Sequence, residues 1–212
     1  FEWCDKSYKH VKQLDKYYSN WLCVPRSVRM TSIKPSGTVS LLNGSTPGIH
    51  FPEDEYYIRR IRFSNTSELL SPLKKAGYKM EDDAYSPNTT VVEFPVKEPH
   101  FTKSKRYVSM WEQLEIAAQY QHFWADNSVS VTVTFKPEEG DQIKSALEMY
   151  ETRLKAVSFL RYEETGYKQA PYEPITEKQY KEMIKKIKPV QKLDIDQAGV
   201  GTKFCDGDTC VI

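Results

Sequence analysis

The chain has 212 residues, a length that suits one large domain or one domain with an appendage, at about 150 residues per domain. Hydrophobic residues make up 39% and charged residues 28%, which predicts a soluble folded protein rather than a disordered one. Basic and acidic side chains balance at 30 to 29, and no apolar run approaches the roughly 18 residues of a membrane span. Composition therefore predicts neither a membrane protein nor a nucleic-acid partner.

Apolar residues at helical spacing predict helices, and β-branched runs predict strands between them. The predicted helices cover residues 5–21, 38–43, 67–76, 109–124 and 138–154, and a last one begins at Thr176 with a capping-box pattern. The predicted strands cover residues 28–33, 89–96, 128–135 and 155–160. In the first helix, the residues predicted to face inward are Tyr8, Val11, Leu14 and Tyr18. Alternation of helix and strand predicts an α/β architecture with a mainly parallel sheet or barrel.

The regular pattern fails near Pro189, so the sequence predicts a folded body over residues 1–188 and a flexible tail over 189–212. The tail carries Cys205 and Cys210 among several glycines. Four cysteines in the whole chain are too few for a disulfide scaffold of this size, which favours a reducing, cytoplasmic location. In such a compartment a cysteine pair is more often redox-active, catalytic or metal-binding than structural, and the lack of a nearby histidine argues against zinc.

A sharp turn follows the predicted strand at residues 28–33 and leads into a short helix that Gly44 is suited to close. Gly37 permits close approach of the backbone, and hydroxyl groups flank it on both sides. Amides that converge at a helix start, with extra hydroxyl donors, suit phosphate binding. An ordinary turn remains the simpler interpretation of this spacing on its own, and no Walker lysine follows.

The residues from Thr31 to Leu42, followed by Thr46–His50, resemble the substrate-phosphate segment of the adenosylcobalamin-dependent (class II) ribonucleotide reductases. The resemblance is strongest to the single-chain type that reduces ribonucleoside triphosphates. It extends in order through four further segments, which are Tyr57–Arg62, Val91–Val96, Trp124–Asn127 and Cys205–Cys210.

The resemblance implies that the chain is the C-terminal portion of such an enzyme and the second half of a ten-stranded α/β barrel. It implies adenosylcobalamin as cofactor, a thiyl radical formed on a cysteine outside this chain, and a ribonucleoside triphosphate as substrate. The N-terminal portion of the reductase and thioredoxin are the implied protein partners. The residues implied to hold the substrate phosphates are Pro35, Ser36, Gly37, Thr38, Val39 and Ser40. Cys205 and Cys210 would re-reduce the active-site disulfide, and without the radical cysteine the chain alone should be inactive.

Two alternatives remain open at this point: a non-catalytic nucleotide- or phosphate-binding module with a redox-sensitive tail, or a fragment of a diiron-dependent (class I) large subunit. Class I enzymes relay a radical through adjacent tyrosines where this chain has Ser158 and Phe159, which argues against the second. His50 follows a Thr-Pro-Gly turn and could approach the substrate, although a lone histidine is more often structural. Balanced charge favours a solvated or salt-bridged role for the arginines of Tyr57–Arg62.

Overall fold

The computed structural model describes residues 1–36, 39–162 and 168–190. Its α-helices are α1 (Glu2–Trp21), α2 (Val39–Leu42), α3 (Leu70–Lys75), α4 (Met110–Phe123), α5 (Ile143–Tyr150) and α6 (Glu177–Ile184). Short 3₁₀ helices cover Lys105–Tyr107 and Pro137–Gln142. The strands are β1 (Tyr56–Ser64), β2 (Lys79–Asp82), β3 (Thr89–Lys97), β4 (Thr132–Phe135), β5 (Ser158–Arg161) and β6 (Tyr172–Pro174). The presence of both helices and β-strands among the described residues confirms the α/β class.

The larger of the two described sheets is antiparallel, with strand order β2-β3-β1-β6. Its central pair runs from Tyr56 opposite Lys97 to Ser64 opposite Thr89. The expectation of a mainly parallel sheet is therefore wrong for these four strands. That expectation arose because β1, β2 and β6 were not predicted: they are short or rich in charged residues, so they lack the apolar pattern that marks a strand.

Parallel pairing is confined, within the described ranges, to β4 with β5 and to a single bridge between Ile33 and Val129. Helices α4 and α5 pack on this second sheet. The core between them consists of Met110, Leu114, Ala117, Ala118, Val131, Val133, Ala146 and Tyr150. Hydrogen bonds fix the start of α4, since Ser109 Oγ accepts from the Glu112 N–H at 3.1 Å and Glu139 accepts from the Met110 N–H at 2.9 Å.

Several predicted boundaries change. The segment at residues 28–33 is not a strand beyond the bridge at Ile33, and Val28 is 93% exposed. The predicted helix at 138–154 divides into the 3₁₀ helix and α5, and β4 begins only at Thr132. The predicted capping box at Thr176 is confirmed, since its hydroxyl accepts from the Gln179 N–H at 3.3 Å and the Gln179 side chain accepts from the Thr176 N–H at 2.8 Å. The boundary between body and tail near residue 188 stays a prediction, because residues 191–212 lie outside the described ranges.

Gly77 follows the end of α3 and lies against the residues that come after α6. Its φ of +92° is left-handed, and a Cβ built there would meet the Lys186 carbonyl oxygen. We therefore expect Gly77→Ala to lower the free energy of unfolding by about 3 kcal/mol, since left-handed strain and overpacking add. Urea denaturation measures the loss. Gly140→Ala is the matched control, because the nearest atom to its Cβ lies at 3.8 Å, and an equal loss there would contradict the argument.

Candidate functional site

The predicted phosphate segment is described at Pro35, Ser36, Val39 and Ser40, whereas Gly37 and Thr38 lie outside the described residues. Ser36 Oγ accepts a hydrogen bond from the Val39 N–H at 3.1 Å, and the Ser40 hydroxyl donates to the Ser36 carbonyl. The Ser36 side chain thus accepts from the first amide of α2, as capping side chains do.

Gly44 closes this turn. Its φ is +63°, and the Ser45 N–H donates to the Ser40 carbonyl at 3.0 Å, so the predicted left-handed cap is confirmed. A Cβ at Gly44 would lie 2.7 Å from the Pro99 ring. The end of the segment therefore packs directly on the loop that follows β3.

Gly48 approaches the segment from the other side. Its φ is +57°, and a Cβ built there would lie 3.4 Å from both the Cα and the nitrogen of Pro35. The Thr46-Pro47-Gly48 turn thus lies against the first residue of the predicted phosphate segment. Two glycines with left-handed backbones, Gly44 and Gly48, therefore set the position of the segment against its neighbours.

His50 uses both ring nitrogens for structure. Nδ1 lies 2.8 Å from the Pro47 carbonyl oxygen, and Nε2 accepts from the Thr132 N–H at 3.1 Å. These partners assign the neutral tautomer with its proton on Nδ1. His50 ties the Thr46–Gly48 turn to the start of β4, which favours the structural interpretation; contact with substrate stays a prediction.

A cavity of about 420 Å³ lies beside the segment, and its lining includes Gly44, His50, Glu98, His100, Phe101 and Tyr120. Glu98 is only 6% exposed and accepts a hydrogen bond of 2.7 Å from the Tyr57 hydroxyl. Burial, together with this hydrogen bond, raises the pKa of Tyr57. Sequence reasoning missed Glu98, because nothing in its local sequence indicates that it is buried.

Asp126 joins the segment before Pro35 to the rest of the fold. Its carboxylate accepts from the Tyr8 hydroxyl at 2.6 Å and from the Met30 N–H at 2.9 Å, and its own N–H donates to Thr31 Oγ1 at 3.0 Å. Burial alone would raise the pKa of Asp126, but hydrogen bonds from Tyr8, Met30 and Thr31 outweigh it and lower the pKa. The sequence predicts Asp126 only as a residue at the entry to a strand, and it gives no sign of the distant partners that the structure shows.

The arginines of Tyr57–Arg62 are paired, as the balanced charge predicts. Arg60 binds the buried Glu93 and also Glu173, and Arg62 pairs with Asp83 at 3.3 Å. Arg59 lies over the Tyr172 ring, 4.4 Å from its centre. The predicted salt-bridged role is confirmed, and Arg60 and Arg62 are not left free to bind a substrate phosphate.

The predicted redox pair, Cys205 and Cys210, lies outside the described residues. Cys4 and Cys23 are described, and both are free thiols. Among the described residues, no group of three or more His, Cys, Asp or Glu side chains could hold a metal ion. No helix in the described part of the chain is long and apolar enough to cross a membrane.

The cavities near the predicted site are too small for a corrinoid cofactor as the described residues form them. A second cavity, between α1, the end of α4 and the loop before β5, also measures about 420 Å³. Both volumes lie near the lower end of pockets for drug-sized ligands, and a corrin ring with its adenosyl group is larger than those ligands. Further residues would have to enlarge either of these two cavities before it could hold the cofactor.

Two curated reductases match 99–100% of this chain, although no protein-family model matches it. A probable adenosylcobalamin-dependent ribonucleoside-triphosphate reductase of Dictyostelium discoideum is 45% identical over 218 residues, which cover 100% of this chain and 29% of that protein. The Euglena gracilis adenosylcobalamin-dependent ribonucleoside-triphosphate reductase is also 45% identical, over 99% of this chain and 30% of its own length. A crystal structure of a B12-dependent (class II) ribonucleotide reductase superimposes with a TM-score of 0.80 at 42% identity, covering 89% of this chain and 27% of that one.

The chain belongs to the class II ribonucleotide reductases, of which it matches one part. Sequence and fold agree on this, since the same class appears in both comparisons. The chain spans less than a third of the length of the curated relatives it matches. The resemblance stated from the five ordered segments is thereby confirmed at the level of the reductase family.

Proposed function

We propose that this chain is the C-terminal part of an adenosylcobalamin-dependent ribonucleotide reductase that converts ribonucleoside triphosphates to 2′-deoxyribonucleotides. In this proposal, Pro35–Ser40 hold the substrate phosphates, and Cys205 and Cys210 pass electrons from thioredoxin to the active-site disulfide. The cysteine that carries the thiyl radical lies outside this chain, and adenosylcobalamin is shared between this chain and the N-terminal portion of the reductase. The observation that carries the proposal is the match, at 45% identity over the full chain, to a protein named as an adenosylcobalamin-dependent ribonucleoside-triphosphate reductase.

The local geometry supports phosphate binding at Pro35–Ser40. The short helix α2 begins at Val39, three residues after Ser36, and the amides at a helix start carry partial positive charge. Ser36 and Ser40 supply hydroxyl groups beside those amides, and both are half-buried rather than fully exposed. A phosphate is held best by such donors, because they do not have to be reorganised when the anion arrives.

Two exposed surfaces of this chain favour the proposal that another portion of the reductase binds to it and completes the fold. Strand β5 pairs with β4 on one side, and Leu160 on it is 58% exposed. Parallel sheets are normally covered on both faces, and two strands alone are too few for stability. Further strands from the remaining portion of the reductase would extend this sheet, as the proposed ten-stranded barrel requires.

The outer side of α1 carries the second surface, a stripe of Trp3, Leu14, Tyr17 and Trp21 at helical spacing. Trp3 is 85% and Trp21 73% exposed. Large apolar side chains exposed along one face of a helix are typical of an interface. Because more than two thirds of each relative lies outside this chain, we propose that the remaining portion of the reductase covers the stripe.

The experiment combines this chain with the remaining portion of a class II reductase, adenosylcobalamin, a ribonucleoside triphosphate and a dithiol, and measures the deoxynucleotide formed. Product is expected only when both portions are present. Ser36→Ala should raise KM for the triphosphate, because the start of α2 loses its cap and a hydroxyl donor. Ser45→Ala, which changes an exposed hydroxyl after the turn, should leave KM unchanged. A correctly assembled complex that makes no product would overturn the proposal.

A further inference from the structure

We propose that Asp126 is a positioning residue for substrate binding, which holds residues 30–33 so that Pro35 and Ser36, the start of the predicted phosphate segment, are presented in one fixed place. This inference rests on the proposed function, since it assigns a supporting residue to the proposed phosphate segment. Asp126 itself would touch neither the substrate nor the cofactor. Its effect passes through the backbone that leads to Pro35.

The first step is the set of contacts that converge on Asp126. One carboxylate oxygen accepts from the Tyr8 hydroxyl of α1, and the other accepts from the Met30 N–H. The Asp126 N–H donates to Thr31 Oγ1, whose own proton goes to the Trp124 carbonyl. The Lys155 ammonium donates to the Asp126 carbonyl. Three separate parts of the chain, which are α1, residues 30–31 and the loop before β5, therefore meet at one side chain and its backbone.

The second step leads from Thr31 to Pro35. The Asn127 N–H donates to the Thr31 carbonyl at 3.1 Å, and the Ser130 N–H donates to the Ile33 carbonyl at 3.0 Å. Together with the bridge between Ile33 and Val129, these bonds hold residues 31–33 along residues 127–130. Only Lys34 separates this fixed stretch from Pro35, so a shift at Thr31 is transmitted to the phosphate segment.

The third step explains why the residue is an aspartate. The two shortest hydrogen bonds to its carboxylate come from an O–H and an N–H, one on each oxygen, so both of its oxygens accept. The lowered pKa keeps the group ionised at neutral pH, and hydrogen bonds to an ionised acceptor are the stronger kind. An asparagine has to present its NH₂ group to one of the two: facing the Met30 N–H the contact is lost, and facing Tyr8 the hydroxyl has to turn and accept. In either case the two bonds to an ionised acceptor are lost.

The test uses Asp126→Asn and Tyr8→Phe in the reconstituted reductase, with Asp141→Asn as the control, because Asp141 is exposed and undergoes the same chemical change. Asp126→Asn is expected to raise KM for the ribonucleoside triphosphate about tenfold with kcat within twofold, because a displaced segment weakens binding before chemistry. Tyr8→Phe removes one donor while leaving the carboxylate in place, so it should give a smaller rise in KM. Asp141→Asn should match the unsubstituted enzyme.

A purely structural role predicts a different pattern, in which the variants lose active protein and kcat falls while KM stays constant. That pattern, or an unchanged KM in both variants, would overturn the inference and leave the proposed function intact. As a readout that needs no turnover, the amide resonances of Ser36 and Val39 in the isotope-labelled chain should shift in Tyr8→Phe but not in Asp141→Asn. Should the unsubstituted assembly fail to bind the triphosphate at all, the proposed function is what fails.

Discussion

Replacing both Cys205 and Cys210 with serine in the reconstituted reductase is expected to limit thioredoxin-driven synthesis to about one deoxynucleotide per molecule. In the proposed function, each reduction of a ribonucleotide would oxidise a dithiol in the active site to a disulfide. A serine cannot attack that disulfide, so the pre-reduced enzyme completes one cycle and stops. Rapid-quench measurement of product against enzyme concentration gives the size of this single burst.

Cys23→Ser provides the matched control, because Cys23 is an exposed free thiol that undergoes the same substitution. This variant should turn over continuously with thioredoxin. Continuous turnover in the Cys205→Ser, Cys210→Ser variant would show that the pair does not carry the electrons. A non-enzymatic binding module with a redox-sensitive tail would show neither burst nor turnover and would bind nucleotide equally well in both variants.

Arg60→Met is expected to lower the free energy of unfolding by about 3–5 kcal/mol, because it leaves the buried Glu93 with too little compensation. Arg60 is 9% and Glu93 2% exposed, and the guanidinium donates to one oxygen of Glu93 at 3.0 and 2.9 Å. Burial alone would lower the pKa of Arg60, and the hydrogen bonds to Glu173 and Glu93 raise it instead. Lys79 also contacts Glu93, at 3.1 Å, but its side chain is 62% exposed and well solvated. It therefore replaces little of the lost interaction.

Urea denaturation of the chain measures this loss. The double variant Arg60→Met, Glu93→Leu should recover much of it, since two apolar side chains replace the buried ion pair, and the charges that lose a partner, Lys79 and Glu173, are solvent-exposed. Arg26→Met is the control for losing an arginine at an exposed position. A loss in Arg60→Met no greater than in Arg26→Met would contradict the assignment of a buried, structurally required ion pair.

Local patterns predict the helices of this chain better than its main sheet. Thr176 and Gln179 lie within one turn of each other, so their capping box is visible in the sequence and is confirmed. Strand β1 is not visible, because it places three arginines among its apolar residues, and the carboxylate that neutralises Arg60 lies 33 positions away. Helix α1 shows the same limit: Tyr8 and Val11 are half-buried as predicted, but Leu14 and Tyr18 are 41% and 51% exposed.

The candidate site also has some features that the sequence predicts and others that it does not. The turn that follows Ile33 and the caps at Ser36 and Gly44 depend on neighbouring residues, and their chemistry can be predicted from spacing. The Asp126 contacts cannot, because Met30 and Tyr8 lie 96 and 118 positions away along the chain. Asp and Asn also occur commonly at turns, so the local interpretation of Asp126 is the natural one.

The contact between the residues after α6 and the end of α3 limits how far Cys205 can lie from that point. The Lys188 N–H donates to the Ala76 carbonyl at 2.8 Å, which fixes a point of departure for the residues that follow. Seventeen peptide links separate Lys188 from Cys205, so that sulfur can lie at most about 56 Å away, at about 3.3 Å per residue. Any disulfide that Cys205 reduces must therefore fall inside a sphere of that radius centred near Ala76. Cross-linking distances measured from the end of α3 would map the boundary of that sphere directly.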